Sequence, residues 1–248
     1  MARRLYLFIS FCFLLSPYIS SQSVKKAYRH YEKGEILKLK ETLTKLDEKS
    51  VENSGKYLLY SLLYLQQKED RNILKQAYRN ILTAKEKYSD LDTKALEELT
   101  ELGIDISRID SLEDVIDSLE YQFVREANSI EEYRGYLSGY PSSIFVGDAT
   151  ARWTSLEFSL TSNQDTWQAY KVFMESFPKS NEFTKAKELY ERLVFADKTS
   201  DNSIESLENF IGDYPDTPFR DSVEISLLKK YTVDNTAEGY LKFLSSFP

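Results

Sequence analysis

SIEEYRGYLSGYP (Ser129–Pro141), TWQAYKVFMESFP (Thr166–Pro178), SIESLENFIGDYP (Ser203–Pro215) and TAEGYLKFLSSFP (Thr236–Pro248) are four versions of one pattern. Their prolines stand 37, 37 and 33 residues apart, and a recurring spacing of that size marks a repeat architecture. The last interval is four residues short, close to one helical turn. The third repeat is therefore expected to have lost a turn while keeping its topology.

Counted back from each proline, the pattern is that of a helix. Tyr133, Tyr170, Leu207 and Tyr240 lie eight before; Tyr136, Phe173, Phe210 and Phe243 five before; Leu137, Met174, Ile211 and Leu244 four before; Tyr140, Phe177, Tyr214 and Phe247 one before. Offsets of three and four put these side chains on one face. The starts recur too, as Asn128-Ser129, Asp165-Thr166, Asn202-Ser203 and Asn235-Thr236. A Ser or Thr there can accept from the unpaired N–H groups of the first turn, and Ser129 with Glu132 has the capping-box spacing.

Pro141, Pro178, Pro215 and Pro248 end these helices, because the residue before a proline is pushed out of the α region. Two residues on, Ser143, Ser180 and Thr217 are expected to cap a second helix, with Pro218 at its first position. The second helices carry Phe145, Ala149, Trp153 and Leu156; Phe183, Ala186, Tyr190 and Leu193; Phe219, Val223 and Leu227. Eight residues after each proline the side chain is small (Ala149, Ala186 or Val223), which lets paired helices approach closely. Each repeat reads as an antiparallel helix hairpin that buries its apolar face by stacking on its neighbours. The copies start near 129, 166, 203 and 236, and the last, stopping at Phe247-Pro248, is read as incomplete. Its open face then calls for a cap, a further repeat or a partner.

Toward the amino terminus the pattern is helical but less regular. Ala27-Tyr28, YEKGE (Tyr31–Glu35), Leu37 and Leu43 predict helix, tight turn and helix, with Gly34 at the turn. YLLYSLLYL (Tyr57–Leu65) is apolar on nearly every side and predicts a buried helix; its length and charged helical flanks argue against a strand. Amphipathic helices are expected over 71–89 and 91–103, a bend over LGIDISRID (Leu102–Asp110), and a further helix over 112–127. The expected organisation is thus a leader over 1–21, an irregular helical region over 22–110, and regular hairpins over 111–248.

The leader rests on Arg3 and Arg4, the apolar run Leu5–Leu15, then Pro17 and the small residues Ser20 and Ser21. That is the order of a secretory signal, and the run is too short to span a bilayer comfortably. Cleavage after Ser20 or Ser21 is expected, with an uncleaved anchor as the alternative. Cys12 follows Phe11, not the small residue a lipid-anchor site needs. The exported chain would then hold no cysteine and no disulfide, which is compatible with a periplasmic or outer-membrane-associated location.

Composition excludes more than it identifies. Only 8 Gly and 6 Pro among 248 residues favour long helices. Residues 22–100 hold 16 Lys and Arg against 13 Asp and Glu, whereas 101–248 hold 14 against 27. The acidic part would repel phosphate, so no nucleic acid is expected as partner. His30 is the sole histidine, so metal sites built on histidine pairs and Ser-His-Asp sets are unavailable. No P-loop or Gly-rich dinucleotide turn occurs, and carboxylate pairs such as Glu131-Glu132 read as solvated helix faces. The aspartates of DISRIDSLEDVID (Asp105–Asp117) lack calcium-loop spacing and its glycine. No catalytic residue, metal or cofactor is expected. The aromatic stripes are expected to form core between helices, although the same spacing could line a peptide or glycan groove.

YEKGE followed by a helix resembles the turn of tetratricopeptide repeats. YPSS…Ala149, FPKS…Ala186 and YPDT…Val223 resemble the Tyr-Pro-x-Ser…Ala signature of tetratricopeptide-like repeats in bacterial envelope proteins. That signature occurs in outer-membrane assembly lipoproteins, cell-division coordinators and exported proteins of the Bacteroidota. The likeness covers residues 129–248 clearly and 24–103 loosely. It implies an all-α, right-handed superhelix of stacked antiparallel hairpins and a protein or peptide partner, with membrane association only through a partner or an uncleaved leader. The expected role is an exported protein–protein interaction scaffold of the cell envelope. The alternative is a docking or spacer region of a larger envelope protein whose further domain binds peptidoglycan, forms a β-propeller or is an enzyme.

Overall fold

The computed structural model describes residues 16–48 and 54–247. Residues 1–15 of the expected leader, with Cys12, lie outside them, as does Pro248. Every regular element among the described residues is a helix, so the protein is all-α. No described helix is long and apolar enough to cross a membrane.

The chain forms two compact units. The first comprises the residues up to Asn128 together with Ser138–Phe145, and the second Ser129–Leu137 with the residues from Val146 onward.

In the first unit, α1 (Ser16–Glu32) and α2 (Ile36–Glu48) are joined at Gly34, whose φ of 66° favours a residue without a Cβ. This is the expected helix–turn–helix. Ala27, Tyr28, Leu39, Leu43 and Leu46 are buried, but Leu37 is 78% exposed. It lies two residues before Leu39, on another face of α2. α3 (Ser54–Leu65) is the buried YLLYSLLYL helix, with Leu58, Leu59 and Leu63 in the core. Its polar buried residues find backbone partners: Ser54 Oγ donates to Ala84 O at 2.7 Å and Ser61 Oγ to Ala77 O. Both carbonyls belong to α4 (Arg71–Ser89), so hydroxyl-to-carbonyl bonds join α3 and α4 along their length.

α5 (Thr93–Thr100) is short, and α6 (Ile106–Ala127) is the longest of the described helices. α6 begins six residues before the expected 112, so the predicted bend over Leu102–Asp110 is confined to its first half. The cause is local: Asp105 Oδ1 accepts from the Arg108 N–H at 2.8 Å and caps the helix. Ile104, just ahead of the cap, and Ile109, in the first turn, are both buried.

The second unit is built more simply. α8 (Val146–Gln164), α9 (Trp167–Ser176), α10 (Phe183–Lys198), α11 (Ile204–Asp213), α12 (Arg220–Tyr231) and α13 (Ala237–Ser246) follow α7 (Ile130–Gly139). From α8 to α13 each helix packs on the next in sequence. α10 has 16 residues and α12 has 12, so the four missing residues of the third repeat are one turn of its second helix.

Candidate functional site

The repeat register runs from Asn128 onward, and its corners recur with the same geometry. Asn128, Asp165, Asn202 and Asn235 all have left-handed backbones, with φ of 44, 44, 51 and 50°. Asn and Asp are the non-glycine residues that tolerate this region. The next residue caps in every copy: Ser129 Oγ accepts from Glu132 N–H at 3.3 Å, Thr166 Oγ1 from Ala169 at 3.2 Å, Ser203 Oγ from Ser206 at 3.0 Å and Thr236 Oγ1 from Gly239 at 3.2 Å. The capping hydroxyls follow the sequence expectation. The left-handed Asn/Asp before each is a second recurring device, and its signal was the residue type itself. Tyr170 Oη reaches Asp165 Oδ1 at 3.3 Å and Tyr240 Oη reaches Asn235 Oδ1 at 3.4 Å, so the tyrosine eight before the proline also braces this corner.

At the other end of each first helix, the residue before proline leaves the α region. Phe177, Tyr214 and Phe247 have ψ of 58, 65 and 78°. Each still donates its N–H four residues back, to Phe173, Phe210 and Phe243. The ring pairs Phe173–Phe177, Phe210–Tyr214 and Phe243–Phe247 all have centroids 5.2 Å apart. Pro141, Pro178 and Pro215 are exposed.

Ser143, Ser180 and Thr217 do not cap the second helix as expected. Ser143 Oγ accepts from Phe145 N–H at 2.9 Å and Thr217 Oγ1 from Phe219 N–H at 3.3 Å, two residues on and ahead of helices that start at Val146 and Arg220. Their N–H groups meanwhile donate to the carbonyls of Tyr140 and Tyr214. They hold a tight turn rather than a first helical turn, and the Ser/Thr side chain suits either. Pro218 lies in that turn, two residues before α12. The Ser180 Oγ is enclosed without a hydrogen-bond partner.

The stripes are core through three copies. Tyr133, Tyr136, Tyr140, Tyr170, Phe173, Leu207, Phe210 and Ile211 are buried, as are Ala149, Ala186 and Val223. Phe173 and Tyr170 cluster with Ala186 and with Met174, Phe177, Leu189, Tyr190 and Leu193. Phe210 and Ile211 cluster with Val223, Leu227 and Val194, and Tyr214, Phe243 and Phe247 pack against that group. The fourth copy differs: Tyr240 is 45% and Leu244 59% exposed, with Leu241 beside them at 67%.

The first unit holds a chain of buried and half-buried charges between α4 and α6. Arg71 donates to Glu120 Oε1 through Nε at 2.9 Å and Nη2 at 2.7 Å, and Glu120 is nearly inaccessible. Lys85 Nζ lies 2.7 Å from both Asp110 and Glu113, whose hydrogen bonds hold its ammonium well above the usual lysine range. The Tyr78 and Tyr140 rings pack in a tilted arrangement with centroids 4.1 Å apart in the same region. Burial, reinforced by Glu113 and Asp117, pushes the Tyr78 phenol up to about 12. Burial and the Glu120 charge raise Tyr140 as well. These groups pair with one another across a helix interface, which is what buried charges require.

The residues with other chemistry do not converge. His30 Nδ1 sits 2.6 Å from Glu35, which also accepts from Lys38. The Glu35 carboxyl is lowered, by Lys38 first and His30 second. Among the described residues no group of three or more His, Cys, Asp or Glu could hold a metal. A depression of about 160 Å³ lined by Lys68, Glu69, Leu119, Gln122, Phe123 and Glu126 is smaller than the roughly 300–1,000 Å³ of small-molecule sites. No known family model matches the chain, and no curated protein is significantly similar to it.

Proposed function

We propose that this chain is an exported protein–protein interaction scaffold of the bacterial cell envelope, its tetratricopeptide-like hairpins wound into a right-handed superhelix. The observation that carries the reading is the fourfold corner, a left-handed Asn or Asp followed by a capping Ser or Thr. It starts first helices in a unit where each helix from α8 to α13 packs on the next. Arrays of that kind present extended surfaces on which proteins and peptides bind. Export is supported by Arg3, Arg4 and the apolar Leu5–Leu15 run. A protein or peptide partner suits a surface whose acidic balance disfavours nucleic acid.

The test has two arms. Cell fractionation should recover the chain with the periplasm or outer membrane, and recovery from the cytoplasm would remove the location. Affinity capture from envelope extract with the purified chain should return the same protein reproducibly. Capture of nothing above a scrambled-surface control would remove the scaffold role.

A further inference from the structure

α6 carries a second apolar stripe beside the one it buries. It packs on α4, with Ile109, Ile116, Glu120 and Val124 among its buried residues. Arg108, Leu112, Val115, Leu119, Gln122 and Glu126 follow another line, spaced four, three, four, three and four residues apart. That is the spacing of the seam positions of a coiled coil. Val115 is 50% exposed, and Leu112, Leu119 and the neighbouring Phe123 are half-buried. The depression described above lies on this stripe, and its helix side is formed by Leu119, Gln122, Phe123 and Glu126. These stand at i, i+3, i+4 and i+7, the arrangement of four residues that makes the hole for a knob from a facing helix. Lys68 and Glu69 complete its wall.

We propose that α6 joins two copies of this chain as an antiparallel, two-fold dimer along that stripe. Charge selects both the occupant and its direction. Arg108 stands at one end of the stripe and Glu126 at the other, and among the described residues neither makes an ion pair. Arg108 Nη1 donates to Tyr28 Oη at 2.8 Å and to Gly103 O at 3.0 Å, which fixes the guanidinium in place. A parallel copy would set arginine on arginine and glutamate on glutamate. An antiparallel copy sets Arg108 against the partner's Glu126 and Val115 against the partner's Leu119, and every contact occurs twice, as a two-fold interface requires. In the same register the partner's Leu112 stands over the hole formed by Leu119, Gln122, Phe123 and Glu126. One leucine side chain suits a depression too small for a ligand molecule.

The test is the mass of the full chain in solution, by sedimentation equilibrium over a range of concentrations. A reversible equilibrium between monomer and a species of twice its mass is expected. Val115→Lys should weaken it at least about tenfold, because each dimer buries that position twice. The position is exposed, so this variant should melt as the wild type does. Glu126→Lys sets an ammonium against the partner's Arg108 and should weaken dimerisation more at low salt than at high. Val172→Lys, at an exposed apolar position on α9, should leave it unchanged. Direction is read by disulfide trapping in a Cys12→Ser background, where Val115→Cys mixed with Leu119→Cys should cross-link faster than either variant alone. A chain that stays monomeric up to about 1 mM overturns the proposal, as does a Val115→Lys variant that dimerises like the wild type. Equal loss in Val172→Lys overturns it too. So does faster trapping of Val115→Cys with itself than with Leu119→Cys, since the two helices would then run parallel.

Discussion

The carbonyl oxygen of Tyr231 stands against Gly239 so closely that a Cβ on Gly239 would overlap it. The contact joins the C-terminal end of α12 to the first turn of α13, and the obstacle is backbone, which cannot rotate away. Gly239→Ala is expected to destabilise the α12–α13 packing by about 1–3 kcal/mol, the range for forcing extra volume into a packed site. Gly135, inside α7, has open space where a Cβ would go, so Gly135→Ala should gain up to about 1 kcal/mol through helix propensity. Denaturant melts of the two variants should move in opposite directions. Equal shifts would mean that α13 does not pack on α12 in this way.

Phe173 and Phe243 hold the same register with different surroundings. Phe173 is 2% exposed and lies 5.4 Å from the Phe158 ring of the preceding helix and 5.2 Å from Phe177. Phe243 is half-buried, with Tyr231 at 6.5 Å. Phe173→Ala should cost about 3–5 kcal/mol and Phe243→Ala less than about 2 kcal/mol, read as shifts in the urea midpoint. A loss below about 1 kcal/mol at Phe173 would put that stripe outside the core.

The left-handed corners predict an unusual ranking at one residue. Asn202 has φ of 51°, which costs an alanine roughly 1 kcal/mol and a glycine nothing sterically. Asn202→Ala should therefore lower the melting temperature, while Asn202→Gly should match or exceed the wild type. Ser203→Ala should lose about 1 kcal/mol, because the Ser206 N–H loses its acceptor. Asn202→Gly melting below Asn202→Ala would show that the asparagine side chain, not the backbone region, matters there.

These corners show what the sequence made legible and what it did not. Aromatic spacing, capping hydroxyls, proline stops and the missing turn of α12 were all readable, because each depends on residues within a dozen positions of one another. The role of Asn128, Asp165, Asn202 and Asn235 was visible as a recurrence but not as a conformation. Ser143 and Thr217 were placed one structural step off, since a hydroxyl that holds a tight turn and one that caps a helix look alike in sequence. The start of α6 was not legible because the capping role of Asp105 goes with the burial of Ile109, which local sequence does not show. The pairing of Arg71 with Glu120, 49 positions apart, left no local trace, and neither did the exposure of Leu241.

The tyrosines of the first unit predict how stability responds to alkali. Tyr78 titrates near 12 in the folded protein, and Tyr140 is raised too, against about 10 for an unfolded tyrosine. Between those values the folded state keeps phenolic protons that the unfolded chain has released. It binds more protons, so unfolding free energy must fall as pH rises through that window. Below pH 10 both states are protonated at these phenols and the contribution is fully present. Absorbance at 295 nm should therefore show Tyr78 and Tyr140 still protonated above pH 10 until the first unit opens. Tyr140→Phe removes one of the retained protons. Its stability should fall less steeply between pH 10 and 12 than that of the wild type, measured by urea melts at each pH. Identical slopes would mean that the Tyr140 phenol is already ionised or solvated in the folded state, and that its packing against Tyr78 near Glu120 does not hold in solution.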